Sequence, residues 1–264
     1  MHWSKDLHQR VSGFLRVRVP QVWIFRSGWD FPTTANLLIA VAFALPCASQ
    51  TSPSQLPESA PTPHYLVVLD AAHGGDDTGS HLDSGQLEKS VNLTLSVRLR
   101  SLLAARGIQV ITTRESDSSV TLDQRAAIAN RANAAVCLIL HASESGTGVH
   151  VFVSSLPPAQ PSHFMAWKTA QAAWITRSLG LAGAVNSALT HAGFSVTLGR
   201  IPLPGIESMT CPALAVEVAP QRDADKKIIA EPDNPDYQAS VATALAAAVL
   251  EWRSDPNRTE ARQP

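Results

Sequence analysis

The sequence has few of the features that mark thiol-based, nucleic-acid-binding or membrane-spanning proteins. Among its 264 residues only three are cysteine, and Cys47, Cys137 and Cys211 are too widely separated for the close pairs of a thiolate zinc site. The formal net charge is −1, so no basic excess indicates nucleic acid as a partner. The apolar run 37–45 is shorter than the roughly 20 residues that a membrane-spanning helix needs.

Hydrophobic residues are abundant, at 45% of the chain against 16% charged residues, which is enough apolar material for a sizeable core. One cysteine, Cys137, lies inside the apolar run 136–140, which predicts a small buried side chain. The sequence leaves open whether Cys137 and Cys211 form a disulfide.

The amino-terminal part of the chain is typical of an export signal. Residues 1–30 contain five lysines and arginines against two aspartates, and the apolar run 37–45 follows, ending in Pro46, Cys47 and Ala48. We predict an export signal over 1–48 and therefore a location in the periplasm or cell envelope, with no stable membrane span after signal removal. The alternative is a stray apolar segment behind a misassigned start. Pro46 argues against lipid attachment at Cys47.

Two further segments are too polar and proline-rich to build a core. Residues 49–63 read SQTSPSQLPESAPTP, which predicts an extended linker. Residues 254–264 read SDPNRTEARQP, which predicts a disordered tail. A single catalytic domain is therefore expected over 64–253.

Within that domain, short β-rich runs alternate with helical patterns. Strands are predicted at 65–69, 108–112, 135–140, 149–153 and 213–218, several of them apolar throughout. Helices are predicted from about Leu87 to Gly107, from a capping box at Thr121 and Gln124 to about 132, and over 166–191 and 237–252. The alternation predicts an α/β fold, a single domain with a mostly parallel central sheet flanked by helices on both faces.

Three polar residues follow or end predicted strands, where the functional groups of open α/β sheets gather. His73 lies in the turn after 65–69, His141 ends 135–140, and Glu217 lies near the end of 213–218. Gly74 and Gly75 follow His73 and would let the backbone bend sharply toward a ligand. Glu88 begins the first long helix, where its side chain could face the same crevice.

Imidazole nitrogen and carboxylate oxygen are ligands that zinc favours, and a catalytic site needs three of them plus an open position. His73, Glu88 and His141 meet that count, and Glu217 is a candidate general base and acid. The residues alone leave alternatives open. A histidine at a strand end is often a capping or core residue, and Glu217 could instead form an ion pair with Arg114 or Arg125.

Five ordered blocks together resemble a known family. They read VVLDAAHGGDDTG, LEKSVNLTLSVRLRSLLAARGIQVITTRESD, LDQRAAIANRANA, HAS and CPALAVEVA. The combination is similar to the zinc-dependent N-acetylmuramoyl-L-alanine amidases of the type 3 class, and it covers about 150 residues of the domain.

The resemblance implies a twisted sheet, a Zn²⁺ ion and peptidoglycan as the substrate. His73, Glu88 and His141 fall on the family's metal-ligand positions, and Glu217 falls on its catalytic glutamate. The implied reaction is hydrolysis of the amide between N-acetylmuramic acid and L-alanine, with a zinc-bound water as nucleophile. Whether an activator protein takes part stays open.

Some positions depart from the family's usual pattern. Ala72 stands where glycine is usual, Ser143 where asparagine is usual, and Val218-Ala219 where glycine-phenylalanine is usual. Ser143 and the 219–220 segment are expected to line the substrate groove. The departures motivate an alternative, a weakly catalytic metal-containing module that binds peptidoglycan. A cysteine hydrolase using Cys137 or Cys211 with His141 is a third, poorer interpretation, since neither cysteine opens a helix.

Overall fold

The computed structural model describes residues 65–160 and 166–255. The predicted export signal and linker fall in residues 1–64, outside the described residues, as does most of the predicted tail. Within the described ranges no helix is both long and apolar enough to cross a membrane.

The centre of the fold is a six-stranded sheet in which all but one of the strand pairings are parallel. Its strands, in chain order, are β1 (Leu66–Ala71), β2 (Gln109–Thr112), β3 (Val136–Ala142), β4 (Val149–Ser154), β5 (Val196–Ile201) and β6 (Ala213–Val218). They lie side by side in the order β2-β1-β3-β6-β4-β5. A small antiparallel pair, β7 (Gln221–Arg222) and β8 (Ile228–Ala230), follows β6.

Helices cover both faces of this sheet. They are α1 (Glu88–Ala104), α2 (Leu122–Arg131), α3 (Ile175–His191), α4 (Pro204–Glu207) and α5 (Pro235–Ser254), together with a 3-10 helix (Trp167–Ala173). The capping box is present, since the Thr121 side chain accepts from the Gln124 backbone N–H and the Gln124 side chain accepts from that of Thr121. The predicted α/β fold is confirmed.

Four features of the secondary structure differ from the sequence prediction, and one of them is the four-residue helix α4, where no helix was predicted. The predicted helix over 166–191 is two elements, because the chain breaks between the 3-10 helix and α3 at Trp174. Strand β5 was missed because it is a half-exposed edge strand containing Gly199, without a continuous apolar run. The short β7 and β8 were missed as well, since strands of two or three residues carry no readable period.

Two apolar clusters fill the space on the two sides of the sheet. One packs leucines of α1, such as Leu95 and Leu99, with residues of α3 and α5 against alternate sheet positions such as Val216. The other packs residues of α2 and α4, such as Ala126 and Ile206, against the intervening positions. The layered arrangement buries the four inner strands β1, β3, β6 and β4 on both faces, as their apolar sequences require.

Cys137 is buried as predicted, and it is also joined to Cys211 by a disulfide. The bond links β3 to the segment just before β6. Because both sulfurs are used in this bond, neither cysteine is a free thiol, which argues against the cysteine-hydrolase interpretation.

One strand reversal decides which residues meet at the site. β3 and β6 are parallel, whereas β4 runs antiparallel to β6. The beginning of β4 therefore lies beside the end of β6. Side chains from a strand end and from a strand start are brought to the same edge of the sheet.

Candidate metal centre

Three of the predicted site residues form one compact cluster. Ligand atoms of His73, Glu88 and His141 all lie within 4.8 Å of one another. His73 Nε2 lies 3.2 Å and His141 Nδ1 lies 2.8 Å from Glu88 Oε1. The two imidazole rings stand nearly perpendicular, at 83°, with their centroids 5.3 Å apart. The structure thus brings together two nitrogens and a carboxylate oxygen from distant parts of the sequence.

His73 is held in a turn that depends on glycine. His73 itself has φ 63° and Gly74 has φ 129°, and both values are in the left-handed region. A Cβ atom on Gly74 would lie 2.4 Å from the Ser118 carbonyl oxygen, so no larger residue fits there. A Cβ atom on Gly79 would lie 2.6 Å from Glu88 Oε2 and 2.8 Å from His73 Cδ2. Glycine is therefore needed for the close approach that the sequence predicted.

Two buried arginines fix the backbone that carries His73. Arg125 forms a buried ion pair with Asp70 and donates to the carbonyl oxygens of Ala71 and His73, each at 2.8 Å. Arg114 donates to the carbonyl oxygens of Ala71 at 2.8 Å and Ala72 at 3.1 Å. Both arginines are scaffold residues, and neither forms the alternative ion pair with Glu217.

Glu88 enters the cluster as the first residue of α1. The side chain is almost fully buried, and its Oε2 accepts a hydrogen bond from the Ser80 backbone N–H at 2.8 Å. Burial alone would raise the pKa of Glu88, but hydrogen bonds and charge interactions with His141 and His73 lower the pKa far below its usual range. The group is therefore an anionic carboxylate, the form that binds a cation.

A carboxylate outside the cluster orients His73. Asp77 Oδ2 lies 2.8 Å from His73 Nδ1, so this nitrogen donates outward and Nε2 is directed toward Glu88. Burial lowers the pKa of His73, but hydrogen bonds with Glu88 and Asp77 outweigh it and raise the pKa. A carboxylate on the far ring nitrogen is the usual second partner of a metal-binding histidine.

Glu217 is placed beside His141 by the register of the sheet. In the parallel pair of β3 and β6, His141 is opposite Glu217, and in the antiparallel pair of β4 and β6, His150 is opposite Glu217. The three residues form one row across three strands and share one face, because directly opposed positions point to the same side. Glu217 is 4% exposed, and its Oε1 lies 2.8 Å from His150 Nδ1.

Sequence reasoning missed two residues around this site, Asp77 beside His73 and His150 beside Glu217. His150 lies at the start of a strand, whereas the search rule for parallel sheets points to strand ends. The available signal was the one polar side chain within the otherwise apolar run VHVFV. The contact also shows that Glu217 is paired with His150 rather than with Arg114 or Arg125.

The positions that depart from the family pattern are buried. Ser143 is 1% exposed and Ala219 is fully buried, and Pro220 is also buried. These side chains present almost no surface, which argues against the expectation that Ser143 and the 219–220 segment line a groove. Their effect on a substrate would have to pass through neighbouring residues.

The residues of the cluster fit a zinc ion. Two imidazole nitrogens and one carboxylate are a donor set that catalytic zinc sites use. Both nitrogens converge on a buried, anionic oxygen, and the outer nitrogen of His73 has its carboxylate partner. The Glu88 Oε1 atom also accepts hydrogen bonds from the Asn92 side-chain amide and the Ala142 backbone N–H, each at 3.4 Å.

Comparisons with known proteins identify the family to which the chain is similar. A family model described as N-acetylmuramoyl-L-alanine amidase matches residues 67–251. The chain is 36% identical over 94 residues to the amidase AmiA of Escherichia coli K12, covering 34% of this chain and 32% of AmiA. It is 32% identical over 124 residues to the uncharacterized protein YqiI of Bacillus subtilis 168, covering 45% of this chain and 54% of YqiI.

A solved structure shares the fold. The catalytic domain of the amidase CwlV from Paenibacillus polymyxa var. colistinus is 23% identical with a TM-score of 0.56, and the match covers 72% of this chain and 98% of that domain. At this identity the likeness concerns the fold. The chain spans only about a third of the length of AmiA, the relative that it matches at 36% identity.

Proposed function

The chain belongs to the N-acetylmuramoyl-L-alanine amidase family, and from that premise we propose that it hydrolyses the amide bond between N-acetylmuramic acid and L-alanine in peptidoglycan. The reaction adds water across this bond. It releases the lactyl group as a carboxylate and the stem peptide as a free amine. Peptidoglycan is the partner in this proposal, which is consistent with the export signal predicted over 1–48.

One observation carries the proposal. The cluster of His73, Glu88 and His141 is continued along the sheet by Glu217, which lies directly opposite His141. A metal site and a carboxylate side by side are the two parts that metal-assisted amide hydrolysis needs. A module that only binds peptidoglycan has no use for a base at this position.

We assign the metal-ligand role to His73, Glu88 and His141, and zinc as the ion. When bound, zinc supplies a Lewis acid that polarises the amide carbonyl and lowers the pKa of a water molecule. The buried anionic Glu88 offsets part of the cation's charge, and Asp77 keeps His73 in the orientation that presents Nε2.

Glu217 is the proton-transfer residue in this proposal. Its carboxylate accepts a proton from the attacking water and then donates it to the nitrogen of the departing L-alanine as the carbon–nitrogen bond breaks. Each step needs a carboxylate within hydrogen-bond reach of the reacting atoms. The proton is returned within the same turnover, so the residue is regenerated.

The direct test is digestion of purified sacculi with the full chain, with and without added zinc. Mass spectrometry of the products identifies the bond that is cut. We expect release of stem peptides with a free L-alanine amino terminus, only when the metal is present. If zinc binds but no stem peptides are released, the binding-module alternative is favoured. If cleavage persists after complete removal of metal ions, the proposed metal role is wrong.

A further inference from the structure

We propose that His150 is a positioning residue that holds the Glu217 carboxylate in the orientation needed for proton transfer. This inference rests on the proposed function and names a further residue of the same site. It begins from one contact: His150 Nδ1 lies 2.8 Å from Glu217 Oε1. At that distance the ring donates an N–H to the carboxylate, a charge-assisted hydrogen bond of ordinary length.

The two residues are buried together. Glu217 is 4% exposed and His150 is 7% exposed, so water contributes little to the orientation of either side chain. A carboxylate on a side chain with several rotatable bonds needs a fixed donor to keep one orientation, because rotamer freedom otherwise spreads its oxygens over several positions. His150 supplies that donor to Oε1 and leaves Oε2 to exchange the proton.

The imidazole is itself held on the side away from Glu217. A Cβ atom on Gly146 would lie 2.4 Å from His150 Cε1 and 2.9 Å from Nε2, so the backbone of this turn packs directly on the ring. The Gly146 carbonyl oxygen accepts a hydrogen bond from Arg222 Nε at 3.2 Å. The Phe152 ring, on the same strand face, lies 6.1 Å from the imidazole at an angle of 68°.

The strand register places the pair with more precision than a loop could. His150 is opposite Glu217 across β4 and β6, and Glu217 is opposite His141 across β6 and β3. Two ladders of backbone hydrogen bonds hold β4, β6 and β3 in register. The hydrogen bond from His150 therefore fixes the Glu217 carboxylate relative to His141, a proposed metal ligand. Functional groups held on rigid strands keep the small tolerances that catalysis needs.

A purely structural explanation is that His150 only satisfies a buried carboxylate. Under that explanation, disturbing the pair changes stability and leaves turnover per folded molecule unchanged. Under the positioning proposal, the hydrogen-bond donor itself matters to kcat. Asparagine separates the two explanations, because its side-chain amide can place an N–H close to the position of His150 Nδ1, whereas leucine keeps the bulk and removes the donor.

The test compares His150→Leu and His150→Asn in the full, zinc-loaded chain. We expect kcat on a defined muropeptide to fall about 10- to 100-fold for leucine, with KM changed by less than about twofold. We expect asparagine to restore kcat to within about fivefold of the original chain. Zinc content should be unchanged in both. A matched control is Val151→Ala, which alters packing on the opposite face of the same strand without removing a donor and should keep kcat.

Two kinetic outcomes overturn the proposal: unchanged kcat for leucine, and a loss for asparagine as large as that for leucine. A second measurement does not depend on activity. Nitrogen-15 spectra of the original chain, with His150 assigned by its disappearance in His150→Asn, report which ring nitrogen carries the proton. We expect the Nδ1–H form, and an Nε2–H form overturns the proposal.

This second measurement also separates the two failures. If the original chain cleaves no muropeptide with zinc bound, the proposed function fails, while the ring-proton measurement still decides whether His150 donates to Glu217. If cleavage occurs but the proton is on Nε2, the proposed function stands and the positioning role fails.

Discussion

The two halves of the site are built in different ways. The half around His73 is carried by a loop after β1, and its shape depends on glycines and on the buried side chains of Arg114 and Arg125. The half around Glu217 is carried by the sheet, where a row of opposed residues on β3, β6 and β4 sets the positions.

The difference shows that the functional side chains of one site can be positioned in two ways. In the loop-built half, side chains hold the backbone, so the position of His73 depends on interactions that a single substitution can remove. In the strand-built half, the backbone holds the side chains, so single substitutions remove chemistry without moving the frame. The following substitutions are chosen to test that distinction, from the largest expected effect to the smallest.

The largest effect is expected from Glu217→Gln in the strand-built half. Amide replaces carboxylate at nearly constant size, so proton transfer is lost while the strands stay paired. We expect kcat to fall by about 10²- to 10⁴-fold, with zinc content and the urea unfolding midpoint close to those of the original chain. Rates on muropeptides and metal analysis check this together.

The control for this substitution is Glu251→Gln, which changes an exposed carboxylate on α5 and should leave kcat unaltered. Near-normal turnover of Glu217→Gln would refute the role assigned to Glu217. A loss of zinc in this variant would instead show that the two halves are not independent.

In the loop-built half, Arg125→Met should mainly affect stability. The substitution leaves Asp70 buried without its ion-pair partner and removes donors from the carbonyl oxygens of Ala71 and His73. Breaking a buried pair in this way costs about 3–5 kcal/mol of unfolding free energy. Urea denaturation measures the change.

The matched control is Arg131→Met on the same helix, since Arg131 is exposed. We expect it to change the unfolding free energy by less than about 0.5 kcal/mol. Equal effects of the two substitutions would show that Arg125 does not hold the loop.

A smaller effect, on metal affinity, is expected from Asp77→Asn. The substitution keeps the size of the side chain but removes the carboxylate beside His73 Nδ1. Loss of such an outer partner weakens metal binding by about 10- to 100-fold. Competition with a chelator of known zinc affinity measures the change.

Two further variants set the smallest and the largest loss of zinc affinity with which Asp77→Asn is compared. Asp76→Asn changes the exposed neighbouring carboxylate and should leave zinc affinity unaltered. His141→Ala removes a proposed ligand and should cost more affinity than Asp77→Asn, together with the stability that bound metal contributes. If Asp77→Asn binds zinc as well as Asp76→Asn does, the outer partner has no effect on the metal.

The smallest effect is expected from Thr121→Ala, which removes one side of the capping box of α2, the helix that carries Arg125. Loss of this cap should cost about 1 kcal/mol of unfolding free energy. Thr243→Ala, at an exposed position inside α5, is the control, and it should leave stability equal or slightly higher because alanine favours helix. A larger loss at 243 than at 121 would contradict the role of the cap.

The sequence predicted the fold well wherever a strand was apolar throughout. Strands β1, β3, β4 and β6 are buried and fall within two residues of their predicted bounds. The edge strand β5 gave no such signal, since its residues alternate between half-buried and exposed positions. The break at Trp174 was hidden because alanine-rich sequence on both sides fits a helix.

Local sequence patterns predicted some residues of the site but not all of them. His73, His141 and Glu217 could be found from strand ends, and Glu88 mainly from resemblance. His150 could not be found by that rule, because its position beside Glu217 depends on β4 running antiparallel to β6, and strand direction is not encoded in the local sequence. The position of His150 is decided by the pairing of β4 with β6, two strands that are far apart in the sequence.

The row formed by His141, Glu217 and His150 also has a consequence for changes in chain length. A residue inserted into β6 before Glu217 would turn that side chain to the opposite face of the sheet, because successive strand residues alternate sides. A residue inserted into the exposed segment 157–160, which follows β4, would leave the pairing of all three strands unchanged. In proteins that keep this site, insertions and deletions should therefore collect in that segment and be excluded from the three strands before it.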